Sequence, residues 1–313
     1  MLQIKQTLLR NLDKLCDDHY TALQPFILDN LSVLSHRQED FIKRNLHRIL
    51  VSKPKELVQV NQEFTSFCTL PGKGVIKNPN RNLSSVFNYK RFTKTDAKYY
   101  CGYDLARKLN VKTCPYCNRN YTVTVAKGIK RTTRPDFDHF FPKSQYPLLS
   151  LSFYNLVPSC LICNRTIKNR ATIVYGKYVH PYEEGFEDAL KFNFFPRDVD
   201  SSVGIQTNYG IIPLLDPLQP VKARKCSDSF HLFKLKEIYE ESHNGEIADI
   251  IRKHYISNGR YLEILKNAFP IGSIDELYRL AFGNYYSEDD FEKRPLSKLT
   301  KDVVEQLVFT YQQ

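Results

Sequence analysis

Four short segments between residues 114 and 164 are the most informative part of the sequence: Cys114-Pro-Tyr-Cys117, Pro135-Asp-Phe-Asp138-His139-Phe-Phe-Pro142-Lys143-Ser144, Asn155-Leu156 and Cys160-Leu-Ile-Cys163-Asn164. The two C-x-x-C pairs are separated by 42 residues. A two-residue gap allows both thiolates of a pair to bind one tetrahedral Zn²⁺, and two such pairs complete a closed structural site. We therefore expect a structural zinc ion at Cys114, Cys117, Cys160 and Cys163, tying the start of a hairpin to the start of the following helix. A redox dithiol is the alternative, but one pair would then suffice.

The span between the cysteine pairs carries an acid and an imidazole, and an amide follows the last cysteine. The Asp138 carboxylate and the Asn164 amide oxygen are hard ligands that suit Mg²⁺ or Mn²⁺. His139 has an ordinary pKa of about 6.5 and can accept a proton at neutral pH. In a strand, neighbouring side chains point to opposite faces, so one can face a cation and the other a water molecule. These groups are the ones that phosphodiester hydrolysis requires.

The same residues resemble the HNH endonuclease motif, also called the ββα-metal fold. The resemblance rests on Asp138-His139-x-x-Pro142-Lys143-Ser144, on two asparagines nine positions apart and on the cysteine pairs. It spans about residues 114–170, under a fifth of the chain. It is most similar to bacterial HNH proteins with two zinc-binding pairs, including McrA-like restriction nucleases and the nuclease component of Septu-type anti-phage systems.

The resemblance implies a role for each residue of the motif. His139 would be the general base, and Asp138 would bind the catalytic Mg²⁺ or Mn²⁺. Asn164 would take the ligand position that other HNH enzymes give to a third histidine, and Asn155 would hold the loop around His139. The expected phosphate contacts, for which a solvated surface is the alternative, are Lys143, Arg165, Lys168 and Arg170.

Length, composition and charge limit the class of protein. The 313 residues are 42% hydrophobic and 25% charged, which is a globular composition and excludes a disordered or fibrous chain. The net charge is +11, and Gly72 to Arg134 holds 15 basic residues against two acidic ones. This basic zone predicts a polyphosphate partner such as DNA, with a solvated lysine-rich surface as the alternative. Because no apolar run approaches the roughly 18 residues of a membrane span, we expect a soluble, cytoplasmic protein without a membrane partner.

The predicted fold class is α+β and mainly helical, with a zinc-stapled ββα core between helical flanks. Residues 1–110 read as a helical region with a basic segment, 111–172 as the HNH core, and 173–313 as a mixed and then helical region that could bind a partner.

Local patterns predict individual elements of this plan. Apolar spacing predicts a first helix already from Ile4, and Thr93-x-x-Asp96 predicts a cap for a helix that runs to about Leu109. The other predictions are a strand over 121–125, a second strand from Ile129 into Phe137, a short helix over 160–170, a capping box at Ser273-x-x-Glu276 and a last helix over 302–309.

These observations predict a metal-dependent HNH endonuclease that cleaves DNA. The resemblance extends the prediction to the effector nuclease of a bacterial anti-phage system, acting with a regulatory ATPase subunit in an oligomeric complex. Two alternatives stay open: a non-catalytic zinc module that binds nucleic acid or protein, and an HNH enzyme that cleaves RNA.

Overall fold

The computed structural model describes residues 1–72, 74–94, 99–127, 130–169, 171–269 and 272–311. Across these residues the chain is mainly helical and forms three two-stranded sheets, which confirms the predicted mixed, mainly helical class. Within the same residues, no helix has both the length and the apolar character needed to cross a membrane. The chain divides into two compact units. The amino-terminal unit comprises Lys5–Val111 and Thr122–Tyr182, and the carboxy-terminal unit comprises Met1–Ile4, Lys112–Tyr121 and Glu183–Gln313.

Helices make up the first part of the amino-terminal unit. Ser35 begins the second helix with a capping box, in which its hydroxyl accepts from Gln38 N while the Gln38 side chain accepts from Ser35 N. The helices are α1 (Leu12–Asp29), α2 (His36–Val51), α3 (Pro54–Thr69), α4 (Leu83–Val86), α5 (Tyr89–Phe92) and α6 (Gly102–Leu109). Helix α3 buries Leu57, Val60, Phe64 and Cys68, which recur every three to four residues on one face and form part of the core of this unit.

Two predicted helix starts are wrong. Helix α1 begins at Leu12, capped by Asn11, and Leu8 before it is fully exposed. Helix α6 is capped by Cys101, whose thiol accepts from Tyr103 N, while the Asp104 carboxylate accepts from Cys101 N. Thr93 instead lies at the end of α5, and its predicted capping partner lies outside the described residues.

The second part of this unit contains two antiparallel strand pairs and a π-helix. The strands are β1 (Val125–Lys127), β2 (Lys130–Thr133), β3 (Asp136–His139) and β4 (Leu156–Ser159), and the π-helix spans Ile162–Lys168. β1 pairs with β2, and β3 pairs with β4, so that Asp136 lies opposite Ser159. The single strand predicted into Phe137 is therefore two strands in different sheets. They separate at Pro135, which has no N–H to continue the β1–β2 ladder.

Helices α1 and α2 hold the loop that joins β3 to β4. In α1, the buried ring of His19 lies with Nε2 2.7 Å from the Leu151 carbonyl oxygen and Nδ1 3.0 Å from the Tyr100 hydroxyl. In α2, the Ile49 carbonyl accepts a bond of 2.5 Å from the Ser152 hydroxyl. The loop is thus fixed at Leu151 and Ser152 by buried bonds to the helical layer.

The carboxy-terminal unit consists of one antiparallel strand pair and seven helices among the described residues. Its strands are β5 (Leu190–Pro196) and β6 (Tyr209–Leu215), and its helices are α7 (Val199–Ser202), α8 (Pro220–Leu232), α9 (Leu235–Ser242), α10 (Asn244–Ile256), α11 (Tyr261–Ala268), α12 (Ile274–Phe282) and α13 (Ser297–Tyr311). The capping box predicted at Ser273 and Glu276 begins α12. Short 3₁₀ segments across the two units span Leu31–Val33, Pro147–Leu149, Phe153–Asn155, Glu187–Ala189 and Glu288–Lys293.

Within the carboxy-terminal unit, the loop that carries the first cysteine pair packs on the start of α13. Asn118 adopts a left-handed backbone (φ 50°), and its amide oxygen accepts from Lys298 N. The Lys298 ammonium forms a fully buried ion pair with Asp302, whose carboxylate also accepts from Phe192 N on β5. These bonds satisfy the polar groups that burial would otherwise destabilise.

Candidate active site

His139 ends strand β3 and lies almost fully buried, with 8% of its surface exposed. Its Nε2 lies 2.9 Å from the Ser150 carbonyl oxygen, and its ring packs edge-on against Tyr89 with centroids 4.3 Å apart. A carbonyl can only accept, so Nε2 carries the proton and Nδ1 is the basic nitrogen. Burial lowers the pKa of His139 to about 4, opposed by its bond to Ser150. The imidazole is therefore neutral at neutral pH, and Nδ1 is unprotonated.

Asn155 is completely buried and closes the loop that leaves His139. Its amide oxygen accepts from Phe141 N at 2.7 Å, and its amide nitrogen donates to the carbonyls of Phe141 (3.2 Å) and Leu149 (2.8 Å). Its own carbonyl accepts from Phe140 N. One asparagine thus joins the backbone just after His139 to the residue before Ser150, whose carbonyl holds the His139 ring. This placement agrees with the loop-holding role that the resemblance implies.

Asp138, next to His139, forms a buried ion pair with Lys168 of the π-helix. The Lys168 ammonium donates to both carboxylate oxygens, at 2.9 and 2.8 Å, and to the His139 carbonyl at 2.6 Å. The two side chains are 3% and 6% exposed. All three N–H groups of the ammonium are used, so the predicted phosphate contact of Lys168 does not fit this placement. The solvated helix face considered as its alternative is wrong as well.

Asp136 fixes the orientation of Asn164 and Arg165. The Asn164 amide nitrogen donates to Asp136 Oδ2 at 3.2 Å, and the Arg165 guanidinium binds the same carboxylate through two bonds of 2.7 and 3.0 Å. Because the nitrogen of Asn164 is committed to Asp136, its oxygen is the atom left to bind a cation. Asn164 and Arg165 lie in the π-helix, a form of helix that is frequent at functional sites.

These groups line one cavity of about 440 Å³ within the amino-terminal unit. Acidic, amide and imidazole groups occur on its wall together with basic side chains. Lys143 is exposed and lies 4.8 Å from the centre of the Tyr89 ring, whose hydroxyl donates to the Phe137 carbonyl. The polar lining residues are Tyr89, Thr93, Arg134, Asp136, Asp138, His139, Lys143, Ser144, Asn164, Arg165, Lys168 and Asn169.

The four cysteines of the C-x-x-C pairs lie close together. The Sγ atoms of Cys114, Cys117, Cys160 and Cys163 are all within 4.8 Å of one another, and all four residues are buried. Thiolates bound to one tetrahedral zinc at about 2.3 Å lie roughly 3.8 Å apart, so the cluster fits a structural zinc ion. The cysteine cluster predicted from the spacing is confirmed, and it could hold one metal ion.

Several predicted site residues thus meet in one cavity: Asp138, His139, Asn164, Arg165, Lys168 and Lys143. Asn155 does not line this cavity but holds the loop that follows His139. Arg170 lies outside the described residues. Sequence patterns did not reveal Tyr89, whose ring packs on His139 from 50 residues away, because no pattern links the two positions. Asp136 was interpreted as a strand-end residue rather than as an acid that supports the site, although its place two residues before Asp138 on the same strand face was a usable signal.

Comparison with known proteins finds no relative of this chain. No protein-family model matches it, no curated protein matches it, and no solved structure matches it. The function of this chain is therefore inferred from the geometry and chemistry of its site.

Proposed function

We propose that this protein is a metal-dependent HNH endonuclease that hydrolyses phosphodiester bonds of DNA. One observation carries the proposal: the neutral imidazole of His139, the Asp138 carboxylate and the Asn164 amide line a single cavity, together with basic side chains. A base and a set of oxygen ligands in one cleft are what metal-assisted hydrolysis of a phosphodiester requires.

The oxygen donors fit a divalent cation of the Mg²⁺ or Mn²⁺ type. Asp138 and Asp136 supply carboxylates, and Asn164 supplies an amide oxygen whose orientation Asp136 sets. When bound, such a cation would stabilise the charge that develops on the phosphate and on the leaving oxygen. Asp138 and Asn164 are the residues that we propose to hold it.

His139 takes the proton of the attacking water. Nε2 donates to Ser150, so the proton is accepted at Nδ1, and the low pKa of the buried ring keeps Nδ1 unprotonated at neutral pH. Asn155 and Tyr89 keep the ring in place, Asn155 through the backbone at Phe141 and Leu149, and Tyr89 by packing. A base held in this way loses little orientational freedom when substrate binds.

The substrate is bound through its phosphates by the basic side chains of the cavity wall. Lys143 and Arg134 line the cavity, and Arg165, which is 66% exposed, combines a bond to Asp136 with access to solvent. Contacts of this kind fix the register of the polyanion without reading its sequence. The basic segment from Gly72 to Arg134 extends the same electrostatic attraction along the chain.

The wider biological role rests on the resemblance alone. We propose that the protein acts as the nuclease of an anti-phage system, with an ATPase subunit as its regulator in a larger complex. Gel filtration of the chain with the product of the neighbouring gene tests this, and independent elution of the two proteins contradicts it.

Cleavage of plasmid DNA tests the catalytic proposal. Zinc-loaded protein with Mg²⁺ or Mn²⁺, alone and with its partner, should nick or linearise the plasmid, and EDTA should stop it. His139→Ala should abolish cleavage and keep the zinc content and the circular dichroism spectrum. The matched control is His231→Ala, which changes an exposed histidine at the end of α8 and should cleave normally.

Two results would replace the proposal. If the wild type and His139→Ala both bind DNA tightly and neither cleaves it, the result would indicate the non-catalytic zinc module. Cleavage of an RNA transcript, but not of the plasmid, would move the substrate to RNA.

A further inference from the structure

The Lys168 ammonium binds the Asp138 carboxylate, which is the group that a divalent cation would also bind. Its ammonium binds both carboxylate oxygens of Asp138 and the carbonyl of His139, and its side chain is 3% exposed. A positive charge of the protein itself therefore already balances the proposed metal ligand in the free protein.

The charge of the whole cavity wall adds to this effect. The charged lining residues are four basic side chains and two acidic ones, a net charge of +2 before His139 is counted: Arg134, Lys143, Arg165, Lys168, Asp136 and Asp138. A divalent cation entering a positive, partly buried site is repelled, and the repulsion is stronger there than in bulk water. A phosphodiester is negatively charged, so it would reduce the positive electrostatic potential in the cavity and with it the repulsion of the cation.

We propose that Lys168 makes the binding of a divalent cation at Asp138 depend on the presence of a phosphodiester in the cavity. This inference rests on the function proposed above. In the free protein the cation binds weakly, because Lys168 holds the carboxylate and the wall is basic. A nucleic-acid phosphate neutralises the wall and supplies an oxygen ligand, and the cation then binds beside Lys168 or displaces it from Asp138. Lys168 is in this sense a positioning residue that orders the assembly of the active site.

The coupling is reciprocal. If the phosphodiester strengthens the binding of the cation by some factor, the cation strengthens the binding of the phosphodiester by the same factor. Free protein would consequently hold no tightly bound metal with which to cleave at random, and the complete site would form only on its substrate.

Binding of Mn²⁺, measured by electron paramagnetic resonance, tests the inference without a need for turnover. Zinc-saturated His139→Ala protein is titrated with Mn²⁺ alone and with a short DNA duplex, and Mn²⁺ bound by the duplex alone is subtracted. We expect the duplex to raise the Mn²⁺ affinity about tenfold or more, within the usual 5- to 150-fold range of coupling between sites. Adding Lys168→Met should raise the affinity without DNA and shrink the coupling.

Two further variants complete the design. Lys177→Met, which alters an exposed lysine that does not line the cavity, should leave both affinities unchanged. Should Lys168→Met fail to fold, Arg165→Gln removes one positive charge from an exposed position and should shift the affinity without DNA in the same direction.

Each outcome has a distinct meaning. If Mn²⁺ binds tightly and equally with and without DNA, and the wild type cleaves DNA, the inference is overturned and the nuclease proposal stands. Coupling that Lys168→Met and Arg165→Gln leave unchanged overturns the role given to the charge of the cavity wall. Absence of Mn²⁺ binding under all conditions, with no cleavage, overturns the proposed function itself.

Discussion

The ring of His139 donates a hydrogen bond from Nε2 to the carbonyl oxygen of Ser150 across 2.9 Å. The bond and the burial of the ring determine which nitrogen is basic and when it is protonated. Ser150 in turn lies between two points at which the loop is tied, Leu149 by Asn155 and Leu151 by His19. The position of the proposed base is thus set by contacts from α1 and from the turn before β4.

The pH dependence of cleavage should reflect the lowered pKa of His139. A general base must be unprotonated, and burial lowers its pKa to about 4 from the ordinary value of about 6.5. We expect cleavage to stay nearly constant as the pH falls from 7 to about 5 and to be lost as the pH falls through about 4. A pH–rate profile under single-turnover conditions measures this, with circular dichroism at each pH to confirm folding. An acidic limb centred at about 6.5 would contradict the proposed environment of the ring.

Asn155→Ala should destabilise the protein and abolish cleavage together. It leaves the buried N–H and the carbonyl of Phe141 without their partner, and each such group costs about 1–3 kcal/mol. We expect the free energy of unfolding to fall by roughly 2–5 kcal/mol, as measured by urea denaturation. Asn267→Ala on the exposed side of α11 is the matched control and should change it by about 0.5 kcal/mol or less. A similar small change for Asn155→Ala would show that the loop does not depend on this side chain.

Zinc should be present at one ion per chain and should depend on the cysteine cluster. Because four thiolates close the site, Cys117→Ser should lower the zinc content measured by mass spectrometry and lower the melting temperature. Cys68→Ser, at a buried cysteine of α3 outside the cluster, should keep its zinc even if it is less stable. Full zinc occupancy in Cys117→Ser would refute the assignment of this ligand.

Stability should fall in mild acid because three buried histidines resist protonation. Burial lowers the pKa of His19 and of His139 to about 4 and that of His180 to about 3. The unfolded chain binds these protons from about pH 6.5 downward and the folded chain does not, so stability is lost as the pH falls below about 6.5. Each histidine contributes a slope of at most about 1.4 kcal/mol per pH unit in this range. Denaturation between pH 7 and 4.5 measures the slope, and His180→Phe should reduce it; an unchanged stability would argue against neutral buried rings.

The contacts with phosphate should be unequal among the predicted basic residues. Lys143 lies exposed on the cavity wall, whereas Lys168 is bound to Asp138. Lys143→Gln should weaken DNA binding and reduce the slope of log affinity against log salt by about 0.9, the value for one phosphate contact. Lys177→Gln outside the cavity serves as the control. Fluorescence anisotropy over a range of salt concentrations measures both, and equal slopes for the wild type and Lys143→Gln would remove Lys143 from the interface.

Local sequence patterns were sufficient for features that depend on neighbouring residues. The two-residue gap inside each cysteine pair predicted metal ligands, which the proximity of the two distant pairs bears out, and Ser273 with Glu276 predicted the start of α12. Patterns failed where two local signals competed. Thr93 with Asp96 matched a capping box in the sequence, but among the described residues Cys101 and Asp104 form the side-chain bonds that begin α6. Similarly, one strand was predicted from Ile129 into Phe137, and the strand pairing made two.

The inventory of chemical groups follows from the sequence alone: four thiols in paired spacing, an acid beside an imidazole, and two asparagines at fixed distances along the chain. Which of these groups are charged and which are bound to another group depends on the folded arrangement. Lys168 reads as a solvated helix residue because helical position says nothing about the strand that packs against it, and that strand carries Asp138. Burial and hydrogen bonding depend on contacts between residues far apart in the chain. They turn His139 into a neutral base and Lys168 into an internal counter-ion.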